Sequence, residues 1–266
     1  MRQLRNILQQ LVMITLALVL TACVTTTESR LQKNKNPDKA LENYTQLGFG
    51  YLQQNRPDLA RQRLQKALAM DPNHAPANDA MGLVWQMEAE YDLAEDFMRK
   101  AIANDSSYTA AKHHLGRLYI QMKEYDKAKK WLETAAGDRY YDSRASAYND
   151  LAMNYYRQNQ PSNAIDSYME ALRLSPYSVD ALVNVSTLLF EAQRYDESRK
   201  YFDRLDRLVS KGNTRHTSHS LWLGIKLATI RQDTDKVITL ATQLKKQFPN
   251  SNEYRLYQES LDSSND

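Results

Sequence analysis

Five histidines and one cysteine are the side chains in this sequence best suited to metal ligation or nucleophilic chemistry. His216 and His219 stand three residues apart, a spacing that puts two imidazoles on one face of a helix. No cysteine and no neighbouring carboxylate in the sequence completes a ligand set, so the pair is expected in a surface loop. His113 and His114 adjoin, and adjacent residues on a helix face different directions. There is no Gly-x-Ser-x-Gly turn, no glycine-rich phosphate loop and no His-Glu-x-x-His motif. The lysines of the runs Lys127, Lys129, Lys130 and Lys245, Lys246 have acids nearby and read as solvated helix faces. These residues predict a protein that is not an enzyme, needs no metal or cofactor and takes no small-molecule substrate.

The single cysteine, Cys23, cannot form an internal disulfide or a two-cysteine metal site. Its surroundings suggest another use. Arg2 and Arg5 form a positive start, and Leu11 to Leu20 is an apolar run of ten residues. That run is too short to cross about 30 Å of hydrocarbon, which needs roughly 20 residues. The pattern is a secretory signal. Leu20-Thr21-Ala22-Cys23 resembles a bacterial lipobox. The resemblance implies a signal peptide over residues 1–22, cleavage before Cys23, and acylation of the cysteine's sulfur and new amino group. An ordinary signal peptide with a coincidental cysteine, or an uncleaved anchor, is the competing reading. Two or more acyl chains hold a protein stably on a membrane where one does so marginally. In Gram-negative lipoproteins an aspartate after the cysteine marks inner-membrane retention. Val24 therefore implies a lipid-anchored protein on the periplasmic face of the outer membrane. Residues 23–36 read as the lipidated cysteine and a polar, flexible tether.

The formal net charge of +3 falls to +1 once Arg2 and Arg5 leave with the signal. So balanced a chain gives no electrostatic case for a nucleic-acid partner. Seven glycines and seven prolines in 266 residues disfavour a turn-rich β fold, and helix formers dominate.

A fixed period organises the rest. Tyr44-x2-Leu47-Gly48-x2-Tyr51, then Ala60-x3-Leu64-x2-Ala67, then Pro72, fits a unit of 34 residues. The next copies carry Met81-Gly82, Trp85, Ala94, Met98 and Ala101, then Leu115-Gly116, Tyr119, Ala128, Leu132 and Ala135. A two-residue insertion between Gly137 and Asp142 precedes Leu151-Ala152, Tyr155, Ala164, Tyr168, Ala171 and Pro176. Val185-Ser186, Leu189, Ser198, Phe202 and Leu205 follow. A degenerate sixth copy has Leu223-Gly224, Leu227, Val237, Ala241, Leu244 and Pro249, its second half one residue out of frame.

This resembles the tetratricopeptide-repeat family over roughly 80% of the chain. The resemblance implies an all-α superhelical solenoid of about six helix pairs over residues 37–258. The units fall at about 41–74, 75–108, 109–142, 145–178, 179–212 and 217–251, with residues 259–266 a frayed tail. Small residues such as Gly48 and Ala60 belong where paired helices cross closest, and a larger group there overpacks the crossing by about 1–3 kcal/mol. Pro72, Pro176 and Pro249 stop second helices. Residues 210–218 form a longer basic loop before the sixth unit.

First helices of such a stack line a concave wall. In the family frame the second, fifth, ninth, twelfth and thirteenth positions of each unit face it. Units one and two thereby contribute Thr45, Phe49 and Leu52, then Asp79, Leu83 and Met87. Unit three contributes His113, Arg117 and Ile120, and unit four Asn149, Met153 and Tyr156. Unit five contributes Val183, Thr187 and Phe190. Large apolar groups in such a groove suit an extended or helical peptide segment with hydrophobic anchors. The competing reading makes these residues core. Some chaperone-binding members clamp a peptide carboxylate with Lys and Asn at the fifth and ninth positions. Thr45 and Phe49 stand there, so that clamp is absent.

The lipobox, the short tether, six repeats without a second domain, and the opening segment from Asn43 to Leu52 together resemble the PilF/PilW pilotin family of type IV pilus biogenesis lipoproteins. The resemblance implies binding of the subunits of the outer-membrane pilus secretin, and promotion of their localisation and multimerisation. A scaffold for outer-membrane β-barrel assembly or for peptidoglycan enzymes is the alternative.

Overall fold

Prolines, acids and left-handed turn residues punctuate the chain at regular intervals, and helices fill the gaps. The computed structural model describes residues 37–262, which form thirteen α-helices with no strand among them. The helices are α1 (Pro37–Gln53), α2 (Pro57–Met70), α3 (Ala75–Met87), α4 (Tyr91–Asn104), α5 (Thr109–Gln121), α6 (Tyr125–Gly137) and α7 (Arg144–Arg157). They continue as α8 (Pro161–Leu174), α9 (Val179–Glu191), α10 (Tyr195–Ser210), α11 (Ser218–Ile230), α12 (Thr234–Gln247) and α13 (Asn252–Asp262). The signal peptide, Cys23 and the tether expected over residues 1–36 lie outside the described residues. No helix among the described residues is long and apolar enough to cross a membrane.

Helices α1 to α12 pack as six antiparallel pairs, and each second helix rests on the first helix of the next pair. First helices of adjoining units also touch one another, α1 with α3, α3 with α5 and α5 with α7, and no successive second helices touch to the same degree. The stack therefore curves with its first helices on the inside, the solenoid geometry the sequence predicts.

The turn inside each unit is made the same way. Asn55, Ala89, Lys123, Asn159 and Gln193 take φ of 57°, 62°, 62°, 56° and 59°, each seven residues after the unit's small crossing residue. The following amide closes the helix end by a bond to a carbonyl five residues back, Arg56 N to Tyr51 O at 2.9 Å and Glu90 N to Trp85 O at 3.0 Å. Pro57 and Pro161 then open second helices, where the missing N–H has no intrahelical use.

At the crossings there is no room for a side chain. A β-carbon placed on Gly82 would meet Met98 Cγ at 2.7 Å and the Ala94 carbonyl oxygen at 3.0 Å. Ala60, Ala94, Ala128 and Ala164 complete these crossings fully buried. Unit five substitutes hydroxyls and satisfies both. Ser198 Oγ donates to Ser186 O at 2.6 Å, and Ser186 Oγ donates to Leu182 O at 2.7 Å. Position seven of each unit then packs on the preceding second helix, which buries Met81, Leu115, Leu151 and Val185. Leu47 at the same position of unit one is 48% exposed.

The frame shift of the sixth unit resides in its turn. Gln232 is the left-handed residue, φ 59°, eight rather than seven residues after Gly224, and Asp233 N bonds to Ala228 O. Ala241 thus stands where other units carry a large residue. Leu240 fills the gap, 2.8 Å from a β-carbon placed on Gly224. The C-terminal end departs from expectation. Residues 252–262 form α13, so residues 259–262, expected as part of a frayed tail, continue a helix. Tyr254 and Tyr257 of α13, like Trp222, pack against the cluster that includes Leu223 and Leu244, and so cover part of the apolar face of the sixth pair.

Candidate protein-binding groove

The inner wall is built from one face of α1, α3, α5, α7 and α9. Met87, Met153 and Tyr156 present 40%, 38% and 49% of their surface to solvent, and Arg117 is exposed. Phe49, Leu52, Leu83, Ile120, Asn149 and Phe190 are partly buried. Phe49 and Leu52 rest on the cluster of Leu64 and Met81, and Leu83 and Ile120 on that of Met98 and Leu118. Their remaining surface is what a partner can reach. Among the described residues, no group of three or more His, Cys, Asp or Glu is arranged to hold a metal ion.

The fifth position of the repeat does not line the wall as expected in the first three units. Thr45 is 1% exposed and donates its hydroxyl to Leu41 O at 2.9 Å. Asp79 and His113 are buried as well. The cause is the close approach of successive first helices, which puts this position in the seam between them rather than on the open face.

That seam carries a polar network that sequence spacing did not reveal. His114 Nδ1 lies 2.9 and 3.0 Å from the two carboxylate oxygens of Asp79, joining α3 to α5. His113 Nε2–H donates to Asp150 Oδ2 at 2.7 Å, joining α5 to α7, while its Nδ1 lies 2.9 Å from the Tyr141 hydroxyl. Arg117 adds an ion pair to Asp150 at 3.6 Å. The two imidazoles lie with centroids 6.1 Å apart, yet they reach opposite neighbours, α3 and α7, as adjacent residues on a helix are expected to. Burial, reinforced by the Asp79 charge, drives the Tyr108 phenol far above its ordinary value, and burial raises Tyr141. Further along, Thr187 and His219 Nε2 stand 3.0 Å apart between α9 and α11. A buried aspartate is tolerable when every oxygen has such partners.

The expected surface pair of His216 and His219 is separated by the fold. His216 is buried and stacks on Phe202 with ring centroids 5.8 Å apart. Its Nε2–H donates to Asp206 Oδ1 at 3.2 Å, and Lys236 Nζ reaches Asp206 Oδ2 at 2.6 Å. The His216 bond, aided by Lys236, holds the Asp206 carboxyl down at about 2. The aromatic plane of Phe202 gave the loop something to fold onto. No period in the sequence encodes that contact.

The helix-pair stack with an apolar, partly exposed inner wall defines a tetratricopeptide-repeat protein, a class of protein-interaction scaffold. One tetratricopeptide-repeat family profile matches residues 45–109 and 149–213, and a second profile of the same description matches 107–176. The chain is 33% identical over 244 residues to the type IV pilus assembly protein PilF of Pseudomonas aeruginosa, covering 91% of this chain and 95% of that one. It belongs to that protein's family. The solved structure of Pseudomonas aeruginosa PilF matches with TM-score 0.78 and 31% identity, over 85% of this chain and 100% of that one. The crystal structure of PilW, described as a widely conserved type IV pilus biogenesis factor, shares the fold with TM-score 0.69 at 19% identity, over 82% of this chain and 98% of that one.

Proposed function

We propose that this protein is a pilotin: a lipid-anchored scaffold on the periplasmic face of the outer membrane. It binds subunits of the type IV pilus secretin and promotes their outer-membrane localisation and multimerisation, and hence pilus biogenesis. The observation that carries the reading is end-to-end likeness to a protein named for type IV pilus assembly, over 91% of the chain. The inner wall supplies a physical means. Met87, Met153 and Tyr156 offer adaptable and aromatic anchors on helices pinned to one another by the histidine–aspartate seam. No bond is made or broken; binding free energy alone sets where the subunits sit and how they assemble. Acyl chains on Cys23 supply the membrane affinity.

The test is a deletion strain assayed for assembled, heat-resistant secretin. Loss of the multimer, restored by the wild-type gene and not by Cys23→Ala, is the expected result. Normal multimers in the deletion strain overturn the proposal. Pull-down of a β-barrel assembly complex or a murein enzyme in place of secretin transfers the scaffold role to that assembly.

A further inference from the structure

The C-terminal end of the stack carries a second concavity, apart from the wall residues already assigned except for Phe190 at its rim. Helices α11, α12 and α13 enclose a cleft of about 520 Å³. That volume falls within the roughly 300–1,000 Å³ typical of sites that take a compact ligand or side-chain cluster. Its walls are Phe190, Trp222, Ile225, Ile230 and Tyr257, with one cation, Lys226, among them. Ile230 is 47% exposed, although it ends a helix whose buried face is mostly apolar.

Lys226 is the unusual member. Its ammonium stands 4.3 Å from the Phe190 ring centroid and 5.7 Å from that of Trp222. Among the described residues no carboxylate lies within ion-pair distance of it, and the Glu191 charge acts on it only from farther away. Burial lowers its proton affinity. Ring faces hold a cation in place without neutralising it. A half-buried, unneutralised ammonium inside an apolar cleft complements a carboxylate borne next to a bulky apolar side chain, and disfavours both a purely hydrocarbon group and a cation.

We propose that this cleft is a second peptide-binding site, one that accepts a polypeptide segment carrying a carboxylate beside a large apolar side chain, with Lys226 as the anion's partner. The apolar side chain enters between Trp222, Ile230 and Tyr257, and the carboxylate meets the ammonium above Phe190. The site lies at the far end of the chain from unit one, so one molecule can hold two segments at once. The proposal does not depend on which protein the inner wall binds.

The test uses the full chain, labelled with ¹⁵N, and three acetylated tripeptide probes. These are Leu-Gly-Phe with a free carboxylate, the same peptide amidated, and amidated Leu-Asp-Phe. The readout is the indole N–H resonance of Trp222, assigned with Trp222→Phe. Both acidic probes, or either one, should shift that resonance, and the neutral amide should bind about tenfold more weakly, the loss of one charge-assisted hydrogen bond. A response to the free-carboxylate probe alone assigns the site to chain ends; a response to the aspartate probe assigns it to internal acids. Lys226→Met, which keeps the apolar stem, should abolish the difference between acidic and neutral probes while leaving the circular dichroism unchanged. Equal binding of acidic and neutral probes to the wild type overturns the proposal. So does a Trp222 shift on dilution without any probe, which would mark a second copy as the occupant. Probe binding that appears only after removal of residues 263–266 would assign the cleft to the protein's own end and equally overturn it.

Discussion

Lys236 on α12 reaches back to Asp206 on α10, Nζ to Oδ2 at 2.6 Å, across the joint between the fifth and sixth units. This is where the stack is thinnest, because α10 touches α11 less than any other second helix touches the first helix that follows it. His216 completes the bridge from the connecting loop, and all three groups belong to one site. In a solenoid, stability is close to a sum of unit terms and nearest-neighbour interfaces. A side-chain staple therefore matters most at the weakest interface. Asp206→Asn keeps the shape and removes the charge. It should lower stability by about 1 kcal/mol, the net worth of a charged, partly buried hydrogen bond. Hydrogen exchange should quicken in α11 to α13 while α3 to α8 stay protected. Uniform exchange along the stack would show that the joint is held by something else.

The same carboxyl gives the protein an acid limit. Asp206 has its pKa depressed from 3.8 to about 2 in the folded state. A depressed carboxylate contributes stability that is fully present above its unfolded pKa and is lost as pH falls through the folded one. The window is thus about pH 4 to 2. Solvent still reaches Asp206, so screening holds the contribution to about 1 kcal/mol. Denaturant titrations at pH 5 and pH 2 should converge for wild type and Asp206→Asn at the lower pH. A difference that persists unchanged at pH 2 would remove Asp206 titration as the cause.

Four of the left-handed turn residues, Ala89, Lys123, Gln193 and Gln232, are neither glycine nor asparagine. Lys123, at φ 62°, is exposed at such a turn. A β-carbon in this region costs about 1–2 kcal/mol, part of which glycine gives back through its freer unfolded chain. Lys123→Gly should raise stability by about 0.5 kcal/mol. Asn159→Gly at the equivalent turn should gain less, because asparagine tolerates the conformation. Thermal melts of the two variants side by side check the order. A lower melting temperature for Lys123→Gly would mean that the lysine side chain stabilises its turn by a contact that outweighs backbone strain.

The repeat was legible because crossing geometry demands small residues at fixed intervals. Gly82 opposite Met98 and Ala94 is the reason the spacing exists, and the spacing in turn reveals the fold. Even the sixth unit's slip was visible, and the structure traces it to Gln232. What the sequence hid were contacts between units. Asp79 with His114 spans 35 residues, and His113 with Asp150 spans 37. One repeat period brings them together, but no motif marks them, since each pair occurs once. Helix α13 was missed for a related reason. Its apolar residues Tyr254, Tyr257 and Leu261 fall on one face, but the segment lies beyond the last repeat and carries none of the repeat's small crossing residues. The cleft around Lys226 depends on α13 and was hidden with it.

The wall prediction can now be sharpened by exposure. Leu52 and Phe49 belong partly to the first core cluster, so charging them mixes lost packing with lost binding. Met87 and Tyr156 are freer, at 40% and 49% exposed, and sit on α3 and α7 of the pinned inner layer. If the proposed function holds, Met87→Glu and Tyr156→Glu should each weaken secretin capture by about tenfold or more, the effect of truncating a central apolar anchor. Helicity and melting temperature should stay close to wild type, because surface changes away from packed features stay within about 0.5 kcal/mol. Thr45→Ser, in the seam rather than on the wall, should leave capture unchanged. Capture that ignores both glutamates while the folded state is intact would remove the inner wall of units two to four as the secretin-binding surface. Capture that falls for Tyr156→Glu alone would confine that surface to the fourth unit.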